Sequence, residues 1–172
     1  MNASKLVMVV GLPGTGKSTF SRALAAALDA RHLNSDVIRT ELGLRGKYSP
    51  EEKAKVYGQL QERTEALLNA GSTTIVDATL YREDLRQPYI EIAHRLACPI
   101  LWIELHTGEE TIKERVSKQR PFSEADMAVH LKIKTLYEPL TAHHLSLETD
   151  VLSLETLVKA AKKFIDHEQT TN

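Results

Sequence analysis

The sequence predicts an α/β fold of three layers, a parallel β-sheet with helices on both faces and a short lid. Three observations carry that prediction. Residues Leu6–Val10 form a continuous apolar run, as a strand buried on both faces requires. The run leads into Gly11-Leu12-Pro13-Gly14-Thr15-Gly16-Lys17-Ser18, which fits G-x-x-x-x-G-K-[ST] at every fixed position, and then into a segment whose Phe20, Ala23, Leu24, Ala27 and Leu28 share one helical face. Beyond it, strand-like and helix-like segments alternate along the chain, the pattern of parallel strands joined by right-handed crossover helices.

The glycine segment is a phosphate cradle. Glycines let successive backbone N–H groups turn toward phosphate oxygens where a Cβ would block their approach. The following helix aims its positive end at the same anion. Lys17 adds a full charge near the β- and γ-phosphates, and Ser18 offers a hydroxyl to Mg²⁺. Residues 11–19, Thr19 included, are therefore the expected site for ATP.

The other elements follow in order. Arg31–Asn34 is a short strand ending at Ser35-Asp36, and Val37–Leu42 reads as one or two helical turns closed by Gly43. A long helix starts at Ser49 with a capping box to Glu52 and Pro50 at its first position; Tyr57, Leu60, Thr64, Leu67 and Leu68 form its apolar stripe, and Gly71 ends it. Thr73–Val76 is β-rich and runs into Asp77. The next helix is expected to be capped by Asp84, with Leu85, Tyr89, Ile92, Ala93 and Leu96 facing inward and Pro88 tolerated near its start. Ile100–Leu105 is a strand with Trp102 in the core. Thr107 and Glu110 read as a capping box for a helix bearing Ile112 and Val116. Arg120-Pro121-Phe122-Ser123 breaks the pattern, Ser123 opens a helix with Met127, Val129, Leu131, Ile133 and Leu136 on its apolar side, and Pro139 ends it. Leu145–Leu147 is the last strand, and a closing helix buries Leu154, Leu157, Val158, Ala161, Phe164 and Ile165.

Composition narrows the function. The chain of 172 residues suits one domain, 1–172, with a lid near 115–126. A net charge of −1 supplies no global field for nucleic acid or an anionic membrane, so no strong non-specific nucleic-acid binding is expected. The single cysteine, Cys98, allows no intrachain disulfide and reads as a small buried thiol. With no signal-peptide architecture and no long apolar run, the expected location is cytoplasmic.

In parallel sheets ligands bind beyond the carboxyl ends of the strands, where Asp36, Asp77 and Asp150 fall. Phosphoryl transfer to an alcohol needs a proton acceptor and cations around the phosphoryl group. Asp36 is placed to be the acceptor, and Arg39, one helical turn away, to hold an anionic group. Asp77 ends an apolar strand and serves either Mg²⁺ or the acceptor alcohol. Arg120 at the lid edge is the better candidate for the phosphates; Arg115 either joins it or pairs with Glu110 or Glu114 on a solvated face. Arg82 and Arg86 are placed for an anionic substrate or for the surface. Adjacent His143 and His144 point to opposite faces and do not form a metal site.

These motifs together, from Gly11–Thr19 through Ser35-Asp36-Val37-Ile38-Arg39, Tyr48-Ser49-Pro50 and Ile75-Val76-Asp77-Ala78-Thr79 to Glu138-Pro139-Leu140, resemble small P-loop kinases of a predicted AAA-type family. Polynucleotide 5′-hydroxyl kinases are the better understood relatives, with gluconate kinase, zeta toxins and chloramphenicol phosphotransferase more distant. The resemblance implies the P-loop NTPase fold with a five-stranded parallel sheet. It also implies Asp36 as general base, Arg39 as ligand of the substrate phosphate and Arg120 as lid arginine. No companion phosphatase, ligase or acceptor-binding segment is visible. The expected activity is ATP- and Mg²⁺-dependent phosphoryl transfer to a hydroxyl, foremost a polynucleotide or nucleotide 5′-hydroxyl. The alternatives are a small-molecule acceptor (sugar acid, polyol or antibiotic) and, in another class, an ATPase or nucleotide switch.

Overall fold

A computed structural model describes residues 4–118 and 127–168. Five strands, β1 (Leu6–Val10), β2 (Arg31–Asn34), β3 (Thr74–Asp77), β4 (Ile100–His106) and β5 (His144–Glu148), form one sheet in the order β2-β3-β1-β4-β5. Every pairing is parallel. Seven helices are described: α1 (Lys17–Leu28), α2 (Ser35–Glu41), α3 (Pro50–Asn69), α4 (Glu83–Arg95), α5 (Glu109–Ser117), α6 (Met127–Leu136) and α7 (Leu154–His167). This is the three-layer P-loop fold expected from the sequence.

The central strand β1 is fully buried, and its alternating side chains feed two cores. Leu6, Met8 and Val10 pack with Ile38 of α2, Val56 and Leu60 of α3 and Tyr89 of α4. Val7 and Val9 pack with Phe20 and Leu24 of α1 and with Leu157, Ala161 and Ile165 of α7. A strand covered on both faces can therefore be apolar throughout. Ser49 and Glu52 form the predicted capping box on α3, and Trp102 is core.

Local differences from the sequence reading have identifiable causes. Asp84 does not cap α4; Arg82 occupies that position without a side-chain cap, and Asp84 in the first turn instead accepts from Arg82 Nε at 2.8 Å. Gly108, not Thr107, is the N-cap residue of α5. In α6, Val129, Leu131 and Leu136 are exposed and His130 is the buried residue, so polar docking replaces the expected apolar face. Leu154 at the start of α7 is also exposed. Cys98 is half-buried, and desolvation pushes its thiol above the ordinary range. Arg120, Ser123 and most of the predicted lid lie outside the described residues.

Among the described residues no helix is long and apolar enough to cross a membrane. Tyr89 is fully buried, and its hydroxyl has no hydrogen-bond partner among them. Tyr89→Phe should therefore leave stability unchanged or raise it by up to about 1 kcal/mol, since the desolvated hydroxyl is removed with little change in shape. Urea denaturation checks this; a clear loss would reveal a partner for the hydroxyl.

Candidate active site

The loop after β1 wraps the start of α1. Gly11 has φ 147°, and a Cβ there would lie 2.5 Å from the Leu105 carbonyl oxygen, so glycine is required both by backbone conformation and by space. Gly16 (φ 90°) is the N-cap residue of α1 and makes no side-chain cap, and the first turn carries no acid. The N-terminal amides of α1 thus meet no side-chain cap, unlike those of α3, which its capping box engages, and an uncapped helix start suits an anion. Lys17 Nζ donates to the carbonyls of Gly11 (2.9 Å) and Leu12 (3.0 Å), which lays its side chain along the loop. Desolvation holds its ammonium below the ordinary lysine range, while the nearby carboxylates of Asp77 and Asp36 act in the opposite direction.

Three tethers set the loop from outside. The Arg115 guanidinium donates to the Gly14 carbonyl (3.4 Å) and to Thr149 Oγ1 (3.0 Å). Thr149 Oγ1, beyond β5, donates to the Thr15 carbonyl at 2.7 Å. His130 on α6 donates from Nδ1 to the Pro13 carbonyl at 2.9 Å; a carbonyl only accepts, so that nitrogen carries the proton. Arg115 therefore sits against the phosphate loop, and these contacts fix it there across 101 residues of sequence.

At the other side, Asn34 ends β2 and joins three parts of the site. Its Oδ1 accepts from Val37 N at 2.9 Å, capping α2. Its Nδ2 donates to Ser18 Oγ at 2.9 Å and to Asp77 Oδ2 at 2.7 Å. His32, on the same face of β2, donates from Nε2 to that carboxylate oxygen at 3.2 Å. Asp77 is 1 % exposed, and these two donors satisfy a charge that burial would otherwise penalise. Sequence reading missed both His32 and Asn34. Their spacing of two within a strand that ends at a polar cap was the available signal.

Ser18 Oγ and Asp77 Oδ2 both meet one amide nitrogen, a pair of hard oxygen donors suited to Mg²⁺ when substrate phosphates and water complete the shell. Asp36 and Arg39 lie on α2, as expected from the sequence. Asp36 is half-buried at the helix start. Arg39 is 6 % exposed; its guanidinium donates to the Lys47 carbonyl at 2.6 Å and lies 4.3 Å from the centre of the Tyr48 ring. Phosphate loop, Ser18, Asp36, Arg39, Asp77 and Arg115 all border one cleft of about 1450 Å³, which continues between α3 and α6. Arg86 does not join it: buried in α4, it donates to the carbonyls of Leu80 (2.8 Å), Glu138 (2.6 Å) and Pro139 (3.3 Å), so its role is to pin those turns. His144 lies 3.5 Å from the Glu104 carboxylate and His143 3.2 Å from that of Glu168.

Residues 6–140 match the AAA-domain family, and the chain belongs to it. A shikimate kinase of Corynebacterium glutamicum is 29% identical over 150 residues, covering 81% of this chain and 85% of the enzyme. Among solved structures, the Mycobacterium tuberculosis APS kinase bound to AMPPNP and APS superimposes with a TM-score of 0.75 at 18% identity, covering 95% of this chain and 98% of that one. A gluconokinase of Sinorhizobium meliloti gives a TM-score of 0.70 at 15% identity, with 100% of both chains covered. At these identities the structural likeness is one of fold.

The Asn34 bridge is open to direct test. Asn34→Ser keeps a capping oxygen but removes both Nδ2 donors, and should cost about 1–3 kcal/mol in urea denaturation by leaving Asp77 under-satisfied. Asn34→Ala removes the cap as well and should cost about 1 kcal/mol more. An Asn34→Ser variant as stable as the parent would show that the bridge contributes nothing.

Proposed function

We infer that this protein is an ATP- and Mg²⁺-dependent kinase that phosphorylates a hydroxyl of a small molecule. One observation carries the reading: a single cleft holds a complete phosphate cradle at one end and, beside it, a half-buried carboxylate, Asp36, close enough to Lys17 to influence its charge. A carboxylate there is placed to accept the proton of an attacking hydroxyl. The shikimate kinase, APS kinase and gluconokinase likenesses favour a small acceptor over the nucleic-acid 5′-hydroxyl that the sequence first suggested.

In this mechanism the loop amides and Lys17 hold the β- and γ-phosphates and carry the charge that develops on them. The acceptor oxygen attacks the γ-phosphorus, forming a new P–O bond as the bond to the β,γ-bridging oxygen breaks and ADP leaves. The hydroxyl proton passes to the Asp36 carboxylate. Ser18 and Asp77 are the residues that would hold Mg²⁺, which when bound neutralises phosphate charge. Asn34 and His32 donate to the Asp77 carboxylate and orient it for that task. Arg115, tied to Gly14 and Thr149, holds the shape of the loop and adds positive potential beside it.

The acceptor requirement is tested by following ADP release with ATP and Mg²⁺ while alcohols are added. Turnover should stay at background until an acceptor is present; the same rate with none would favour an ATPase. Lys17→Ala should lower kcat by about 10² or more in a folded protein, through loss of preorganised charge at the phosphates. Asp36→Asn preserves shape and removes the proton acceptor. Its kcat should fall by roughly 10²–10⁴ with ATP affinity little changed. Loss of ATP binding in an Asp36→Asn titration would instead make Asp36 a nucleotide or metal ligand.

A further inference from the structure

The cleft does not end at Asp36. Past it, four cationic side chains from four different elements border the same space: Arg39 of α2, Lys53 of α3, Arg82 before α4 and Lys132 of α6. A solvated helix face places like charges along one element, where they spread into water. Here separate elements bring them together, and the protein bears the repulsion. The Lys53 ammonium is held below its ordinary range first by desolvation and then by the charges of Lys132, Arg39 and Arg82.

The counter-charges do not match. Arg82 is engaged by Asp84, and Arg63 at the cleft border by Glu41 at 2.6 Å. Neither Lys53 nor Lys132 has a carboxylate partner among the described residues. Arg39, although 6 % exposed, has an Nε with no hydrogen-bond partner among them. Arg39, Lys53 and Lys132 thus outnumber the acid that borders this end of the cleft, Asp36. Tyr57 and Tyr81 border the space between, and desolvation pushes the Tyr57 hydroxyl up to about 12, as a partly dehydrated site would.

We propose that this end of the cleft is a phosphate site formed by Lys53, Lys132 and Arg39, and that the acceptor is an alcohol already carrying a phosphate ester. The proposal rests on the kinase reading above and names the acceptor class of that site. A phosphate monoester brings up to two negative charges to this cationic cluster, whereas a carboxylate brings one and a neutral polyol none. Convergent ammonium and guanidinium groups hold phosphate oxygens through charge-assisted hydrogen bonds. With its phosphate between α3 and α6, such a substrate presents its free hydroxyl toward Asp36 and the phosphate loop.

The test compares acceptors in the ADP-release assay: glycerol 3-phosphate, pentose phosphates and nucleoside 3′-monophosphates against hydroxy acids and neutral polyols. A phosphorylated alcohol should be the preferred acceptor. Lys53→Gln and Lys132→Gln should each raise its KM roughly 10- to 100-fold, the loss expected of a hydrogen bond to a charged group, with ATP affinity little changed. Preference for a neutral alcohol or a hydroxy acid, or a KM indifferent to both substitutions, would overturn the phosphate site and leave the kinase reading standing. If no alcohol elicits turnover, the kinase reading falls and a second measurement decides the site. Inorganic phosphate is titrated calorimetrically into protein saturated with AMPPNP, which occupies the phosphate loop. Binding weakened at least about tenfold by Lys53→Gln or Lys132→Gln supports the site; no binding, or binding unchanged by both, overturns it.

Discussion

The Asn34 carboxamide is the constraint on which the rest of the site depends. One side chain closes the start of α2, holds the Ser18 hydroxyl and neutralises part of the demand of a buried Asp77. Because Oδ1 is committed to the Val37 amide, Nδ2 must face the two oxygens, and the amide has no alternative orientation that satisfies all three partners. Three successive strand ends are thereby locked together: the loop after β1 through Ser18, the end of β2 through Asn34 itself, and the end of β3 through Asp77. Asp36 and Arg39 inherit their placement from the helix that this residue caps. The carboxylate and the phosphate cradle are consequently positioned by one network and not by two independent loops.

The opposite flank of the cradle is held with equal economy of residues. Arg115, Thr149 and His130 each engage a carbonyl of the phosphate loop, so those carbonyls are turned toward the protein. Donors fixed before a ligand arrives need not reorganise as charge develops, which is the basis of electrostatic preorganisation. His130 also explains why α6 exposes apolar residues that a helical pattern would bury. The helix is seated by a hydrogen bond to Pro13 and by the ion pair of Lys134 with Glu109, and Ile133 and Lys132 are left at the cleft border.

What the sequence disclosed, and what it withheld, divides along the range of the interactions. The five strands, the phosphate loop and the start of α3 rest on local signals: apolar runs, fixed glycine spacing and a capping box closed within three residues. That Asp36, Asp77 and Arg39 border one cleft was legible because parallel topology sends strand ends to one edge of the sheet. The partners were not legible. Arg86 reads as a surface or substrate-facing cation until α4 is docked, when carbonyls more than 50 residues away become its acceptors. Arg115 stood between two roles because Gly14 and Thr149, to which it donates, lie on the phosphate loop and just beyond β5, far from it in sequence. Thr107 and Asp84 show the converse, local capping signals overruled by the geometry of the preceding turns. Periodicity reports which face is apolar; it does not report what that face meets.

Charge placement supports the small-acceptor reading proposed above. The chain is nearly neutral overall, and many of its surface cations are matched by acids: Arg95 by Glu65, Arg63 by Glu41, Lys113 by Glu110 and Lys159 by Glu155. Such pairs give little long-range field, since exposed charges are screened over about 8–10 Å at physiological salt. Lys53 and Arg39 lie instead within a cleft whose walls are low in polarisability, where field lines are focused and screening is weaker. Attraction for an anion is therefore concentrated over the dimensions of a small ligand and fades along the outer surface. A long polyanion gains from a continuous cationic track, because each further phosphate neutralised releases counterions. A compact one gains only from the pocket it fills, and a pocket is what α2, α3 and α6 enclose.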